Sequence, residues 1–258
     1  MQLTTQQLAF YRQNGYLVVP DLFEPREVED IRQEIDRLSV AGKPGVVLEE
    51  NGLIRALHGS HRESERFGHL IRNPSLLDPA LQVIGEPVYV YQFKINIKPA
   101  FGGDIWPWHQ DYIFWSKEDG VARDSFLNAA LFVDDTTEFN GPLLFLPGSH
   151  REGMIDVDPN SEDDDWRANV SAKLKYTVPS EKMVAYEAKY GLTAPKGKAG
   201  SVLFFHPNVI HGSVSNISSS PRRLLIITYN AVTNPAKSAN PRPDFLISRE
   251  ARPLAPLG

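Results

Sequence analysis

A mainly β fold, a sandwich or barrel with helices packed outside it, is what the 258-residue sequence predicts. Two observations carry this. Helical periodicity is concentrated in the first third of the chain, and apolar runs rich in β-branched and aromatic residues recur from residue 88 onward. No shift of composition, long Gly/Ser linker or internal repeat interrupts the chain, so a single domain over residues 1–258 is expected.

The elements follow in order. Thr4 or Thr5 can cap a helix running through Arg12, with Gly15 as its stop. Residues 16–19 read as a short strand. From Glu24 the stretch EPREVEDIRQEIDRL sets Val28, Ile31, Ile35 and Leu38 at helical spacing. A looser region follows, then a helix over 74–84. VYVYQFKINIKP at 88–99 alternates as a strand does, and 127–135, 143–150, 201–207 and 223–232 repeat the pattern. The acidic, irregular stretch at 156–175 reads as a surface excursion or lid.

Composition narrows the function. The chain is 41% hydrophobic and 23% charged with a net charge of −5 and no dense Lys/Arg block, which argues against nucleic-acid and membrane-surface partners. There is no cysteine, so disulfides are impossible and any metal must be held by His and carboxylate. The N-terminus lacks the pattern of a secretory signal, and no apolar run reaches the roughly 18 residues of a membrane span. A cytoplasmic protein is expected.

The chemistry concentrates in WPWHQDYIFW, residues 106–115. Alternate side chains of a strand share a face, so His109 and Asp111 can converge on one ion from a single strand end. A third ligand must come from elsewhere. His211 in HPNVIHGSVSN is the candidate, with His206 as its rival, and the spacing to Arg222 favours His211. Two His and one carboxylate on one face of an octahedron suit non-haem Fe(II) with open positions for cosubstrate and dioxygen. Arg222 opens an apolar strand, where a guanidinium needs a carboxylate or phosphate partner. Together these residues describe an Fe(II) site with a 2-oxoglutarate carboxylate clamp. The other histidines, His58, His61, His69 and His150, are expected to satisfy local hydrogen bonds.

WHQD, EFNGPLLFLPGSH, HGSVSN with Arg222, and the opening YRQNGYLVV with EPREVEDIRQEID resemble the phytanoyl-CoA dioxygenase superfamily over almost the whole chain. Within it the sequence is most similar to bacterial hydroxylases of small free amino acids and related solutes. The resemblance implies a double-stranded β-helix, or jelly roll, with iron at one mouth of the barrel. It implies His109, Asp111 and His211 as metal ligands, and Arg222 helped by Ser213 at the 2-oxoglutarate carboxylate. It further implies Gln92 and Asn96 as cosubstrate contacts and Trp106 as a lining aromatic. Relatives usually carry one arginine where this chain has Arg222 and Arg223, and Arg223 is expected to be a solvated charge.

The implied reaction is hydroxylation of a free L-amino acid with release of succinate and CO2. L-Proline attacked at C4 is the expected substrate, with L-leucine or a natural-product intermediate as the alternative. A non-enzymatic metal-binding jelly roll is disfavoured, because the full triad and Arg222 are all present. An amino acid needs a cation for its carboxylate, for which Arg242 and Arg123 are candidates, while Tyr112 and Trp115 could wall its side chain.

Overall fold

The computed structural model describes residues 1–162, 165–240 and 242–256. Pro241 and Leu257, which belong to the PRPDF stretch and the chain's tail, lie outside the described residues, as do two residues of the acidic excursion.

Helix α1 (Thr5–Asn14) begins where Thr4 accepts the Gln7 N–H and the Gln7 side chain accepts the Thr4 N–H. It stops at Gly15, whose φ of 76° is left-handed. Strand β1 (Tyr16–Val19) follows, then α2 (Pro25–Leu38), which buries the Val28, Ile31, Ile35 and Leu38 stripe. The looser region resolves into β2 (Val46–Leu48), β3 (Ile54–His58) and the short α3 (Glu65–Leu70), before α4 (Pro74–Ile84).

The second part comprises β4 (Val88–Lys98), β5 (Trp106–His109), α5 (Asp111–Lys117), β6 (Phe126–Phe132), β7 (Leu143–Phe145), α6 (Ser180–Tyr190), β8 (Val202–Phe205), β9 (His211–Ser213) and β10 (Arg222–Ala231). Two expectations are corrected here. The strand expected over 143–150 ends at Phe145, because Pro147 and Gly148 turn the chain. Residues 111–117 form a helix rather than continuing the HxD strand.

The strands form two antiparallel sheets of a jelly roll. The larger runs β1-β8-β6-β10-β4-β3-β2 and the smaller β5-β9-β7. Both faces of the large sheet are buried, which explains its nearly continuous apolar strands. Leu127, Ala129 and Leu131 of β6, Val202 and Phe204 of β8, and Leu225, Ile227 and Tyr229 of β10 pack toward the apolar faces of α1, α2 and α4. Their neighbours Ala130, Phe132, Leu203, Phe205, Leu224 and Ile226 pack toward Leu143 and Phe145 of the small sheet.

Strand β4 carries one irregularity that matters to the site. Gln92 pairs with Thr228 but Val90 pairs with Tyr229, so Tyr91 is an extra, bulged residue. The bulge resets the alternation. Val88 and Val90 before it, and Phe93 and Ile95 after it, all face the helices. Gln92, Lys94 and Asn96 are thereby aimed into the barrel, where a cavity opens between the sheets. No helix among the described residues is long and apolar enough to cross a membrane.

Candidate active site

The two histidines meet because β5 and β9 are neighbours and His109 pairs directly with His211 across them. Their ring centroids are 4.2 Å apart. Each ring is oriented the same way: Nδ1 bonds the carbonyl of the residue two positions earlier, Pro107 at 2.6 Å and Val209 at 3.0 Å. That contact fixes the ring and leaves Nε2 free to face the cavity. Asp111 arrives from the first turn of α5, after the chain bends at Gln110. Its oxygens stand 3.9 Å from His109 Nε2 and 4.0 Å from His211 Nε2. The three ligand atoms lie within 4.8 Å of one another, all in buried residues. Burial pushes His109 down to about 3 and lowers His211 as well, so both imidazoles are neutral donors at ordinary pH.

Gln110 braces this bend. Its amide donates to the carbonyls of Gly153 and Asn208 and accepts from Ile155 N–H, joining three loops behind the triad. Asp111 is braced from the large sheet. Asn128 donates to Oδ2 at 2.9 Å and is itself held by the Thr228 hydroxyl at 2.6 Å, its register partner on β10. Lys94 Nζ lies 3.4 Å from Oδ1. Burial pushes the Asp111 carboxyl up, but Lys94, with the two imidazoles in the acid range where they protonate, outweighs it and holds the group below its ordinary range. Asn128→Ala is expected to weaken metal binding about 10- to 100-fold, as loss of a ligand's supporting hydrogen bond does. Metal titration alongside product formation checks this.

At the other end of the cavity, Arg222 is 1% exposed and, among the described residues, no carboxylate lies within ion-pair distance of it. Its Nε and Nη2 donate to the Gly141 carbonyl at 3.1 and 2.6 Å, and Nη1 has no partner. Asn96 Oδ1 and Ser213 Oγ are also buried and unpartnered. Lys98, the register partner of Arg222, is buried with its amine on the carbonyls of Asp104 and Val214. Burial, with Arg222 and Arg55 beside it, pushes that amine down to about 6, so Arg222 carries the charge at this end. A buried guanidinium with a free edge is costly unless an anion reaches it. Arg223, on the opposite face, is not simply solvated: it forms a paired contact with both oxygens of Asp134 at 2.9 Å and reaches Asp36 at 3.2 Å.

Gln92, Asn96, Trp106, Trp115, Arg222 and Arg242 all line the cavity with the triad. Ser213 sits two residues beyond His211 on β9, opposite Trp106 and Leu143. Two expected substrate contacts are elsewhere. Tyr112 turns away, its hydroxyl on the Val121 carbonyl, because on a helix it does not share the face of Asp111. Arg123 is half exposed, reaching Thr233 and Glu86 outside the cavity. Arg242 does line the cavity, but its Nε and Nη2 are committed to Asp119 at 2.8 and 2.5 Å. Asp119 is wholly buried and also accepts from the Tyr91 hydroxyl. Removing it in Asp119→Ala would strand a buried arginine, with an expected loss of about 3–5 kcal/mol of stability by denaturant titration.

The acidic excursion supplies the remaining wall through Asn169, Val170 and Leu174. Arg55 of β3 ties it down, donating to the Val170 carbonyl at 3.0 Å and stacking 3.8 Å from the Trp106 ring. His206 stays outside the triad, accepting from Asn208 N–H and packing 5.2 Å from His150. The expectation of locally satisfied histidines is corrected at His58, whose ring nitrogens are both buried and unpartnered, and in part at His61 and His150, each with an unpartnered Nδ1. Lys94, Asn128 and His58 were not singled out as site residues by the sequence reading. For Lys94 the signal was present, since alternation in QFKIN sets it on the face of Gln92 and Asn96.

The family model described as phytanoyl-CoA dioxygenase matches residues 11–224. An L-proline trans-4-hydroxylase of Streptomyces griseoviridis is 44% identical over 252 residues, covering 96% of this chain and 93% of that protein. EctD from S. alaskensis, solved with 2-oxoglutarate and 5-hydroxyectoine, superposes with a TM-score of 0.82 at 29% identity, over 96% of this chain and 84% of EctD. The same protein solved with bound Fe gives 0.82 and 29% over 99% and 87%.

Proposed function

The chain belongs to the phytanoyl-CoA dioxygenase family, and from that membership and the site we propose that it hydroxylates a free L-amino acid, L-proline at C4. It is an Fe(II)- and 2-oxoglutarate-dependent dioxygenase. The observation that carries the site assignment is the buried, unpaired Arg222 edge in the same cavity as a His-Asp-His cluster. The donor set fits iron: two neutral imidazoles with Nε2 exposed to the cavity, and one carboxylate kept ionised.

In this reading His109, Asp111 and His211 hold the metal. Arg222 takes the distal carboxylate of 2-oxoglutarate, with Asn96, Gln92, Ser213 and Trp106 around the cosubstrate. When bound, iron(II) and 2-oxoglutarate would supply the electrons that activate dioxygen, so that one oxygen atom converts a C–H bond to an alcohol and the other ends in succinate, with CO2 released. The protein's part is positioning. Asn128 and Lys94 hold the Asp111 carboxylate toward the two imidazoles. Trp106, Phe114 and Trp115 wall the cavity against water, and Arg55 keeps the excursion closed over them.

The 44% relative supports L-proline as the substrate, and the cavity's aromatic wall suits a small ring. Similarity to EctD keeps another cyclic solute as the second reading. The test is anaerobic loading with Fe(II) and 2-oxoglutarate, then oxygen, with succinate and oxidised product scored across free L-amino acids and ectoine. Equal amounts of succinate and 4-hydroxyproline are expected. Succinate formed with another solute instead would replace the substrate and keep the chemistry.

A further inference from the structure

We propose that His58 is a specificity-determining residue of the amino-acid site, donating a ring N–H to the carboxylate of the substrate. The inference rests on the substrate reading above and deepens it. His58 is 7% exposed, lines the cavity, and has no partner on either ring nitrogen. A buried imidazole without hydrogen bonds is costly in the free protein, so its presence in a ligand cavity points to a ligand that satisfies it.

Position sets it away from Arg222, the residue read as holding the distal carboxylate of 2-oxoglutarate. On β4 the register partner of Arg222 is Lys98, whereas His58 pairs with Lys94. Those two levels are four residues apart, about 13 Å at about 3.3 Å per residue. His58 therefore stands at the level of Asp111 and its lysine, in the half of the cavity away from Arg222. Two cations stand near the ring there, Lys94 with Asp111 beside it and Arg242 paired with Asp119. Burial above all, then Lys94 and Arg242, pushes the ring's pKa down to about 3. The ring is neutral at ordinary pH, with one donor and one acceptor nitrogen. The complement to its unpartnered donor is an acceptor, and a carboxylate is the acceptor an amino acid offers. Asn169 Oδ1, also buried, unpartnered and on the cavity, is an acceptor suited to the other pole of a zwitterion.

His58→Leu and His58→Gln test this in the full-length, iron-loaded enzyme. Loss of one hydrogen bond to a charged group predicts a KM for L-proline raised roughly 10- to 100-fold in His58→Leu. The KM for 2-oxoglutarate should stay within about 2-fold, and His58→Gln should recover most of the loss. L-Prolinamide, which lacks the anion, should be a poorer substrate of the wild type and suffer no further loss in His58→Leu. Because an orphaned polar group is removed, His58→Leu should melt at or above the wild-type temperature, which a structural histidine would not do. An unchanged proline KM in a wild type that oxidises proline overturns the His58 assignment alone, as does a 2-oxoglutarate KM that rises in step. A wild type that oxidises no free amino acid overturns the substrate reading and this assignment with it.

Discussion

Asp111→Ala is expected to end hydroxylation and to weaken iron binding by more than about 100-fold, beyond what loss of a supporting contact such as Asn128 produces. The carboxylate is the sole anion among the three clustered side chains, and both imidazoles that remain are neutral. Its removal also leaves Lys94 and Asn128 facing the cavity without their partner. Truncating a buried ion pair costs about 3–5 kcal/mol, so the alanine variant should also melt lower. Asp111→Asn separates the two effects, since it keeps the side chain's shape and an oxygen for Asn128. Anaerobic Fe(II) titration, product formation and melting temperature, measured on both variants, check this. Iron affinity within a few-fold of wild type in Asp111→Ala would remove the carboxylate from the ligand set.

Arg222→Ala should act on the cosubstrate and spare the metal. Breaking a buried charge pair costs about 2–5 kcal/mol, which is on the order of 30- to several thousand-fold in affinity. The KM for 2-oxoglutarate should rise by that factor while Fe(II) affinity stays near wild type. A 2-oxo acid without the distal carboxylate supplies the other arm of a double-mutant cycle. It should bind the wild type poorly by a similar factor and lose little more in the variant. Equal losses for both acids would mean that Arg222 supports the fold and does not hold the carboxylate. The structure favours the specific effect, because Gly141 already takes two of the guanidinium's nitrogens and the third is left over.

How much of this was legible in the sequence depended on whether the information was local. The α1 cap, the α2 stripe and the long strands were readable because each is written in its own residues. The short strands β2 and β3 were not, since their partners lie elsewhere in the chain. HxD illustrates the limit well. The pair was legible, but the strand assumed to carry it ends at His109, and Asp111 starts a helix. On that helix Phe114 and Trp115, three and four residues on, share the face of Asp111 and line the cavity, while Tyr112 points away. A strand reading would have set Phe114 with Tyr112 on the face away from Asp111, and only the helix brings Phe114 to the cavity beside Trp115. Arg242 looked available because its partner Asp119 lies far away in the chain.

The bulge at Tyr91 divides β4 into two segments whose alternation is set separately. Upstream, Tyr89 and Tyr91 belong to the aromatic cluster around Trp115 and Phe126, and Tyr91 reaches Asp119. Downstream, Gln92, Lys94 and Asn96 build the wall beside the triad. A substitution at the upstream tyrosines can therefore leave the downstream row in phase. Deleting the bulged Tyr91 would set Val90 and Gln92 in direct alternation, so both segments would keep their faces and only the ring that reaches Asp119 would be lost. The strand behaves as two adjoining modules, one adjustable and one conserved in orientation, and the joint between them is a single residue.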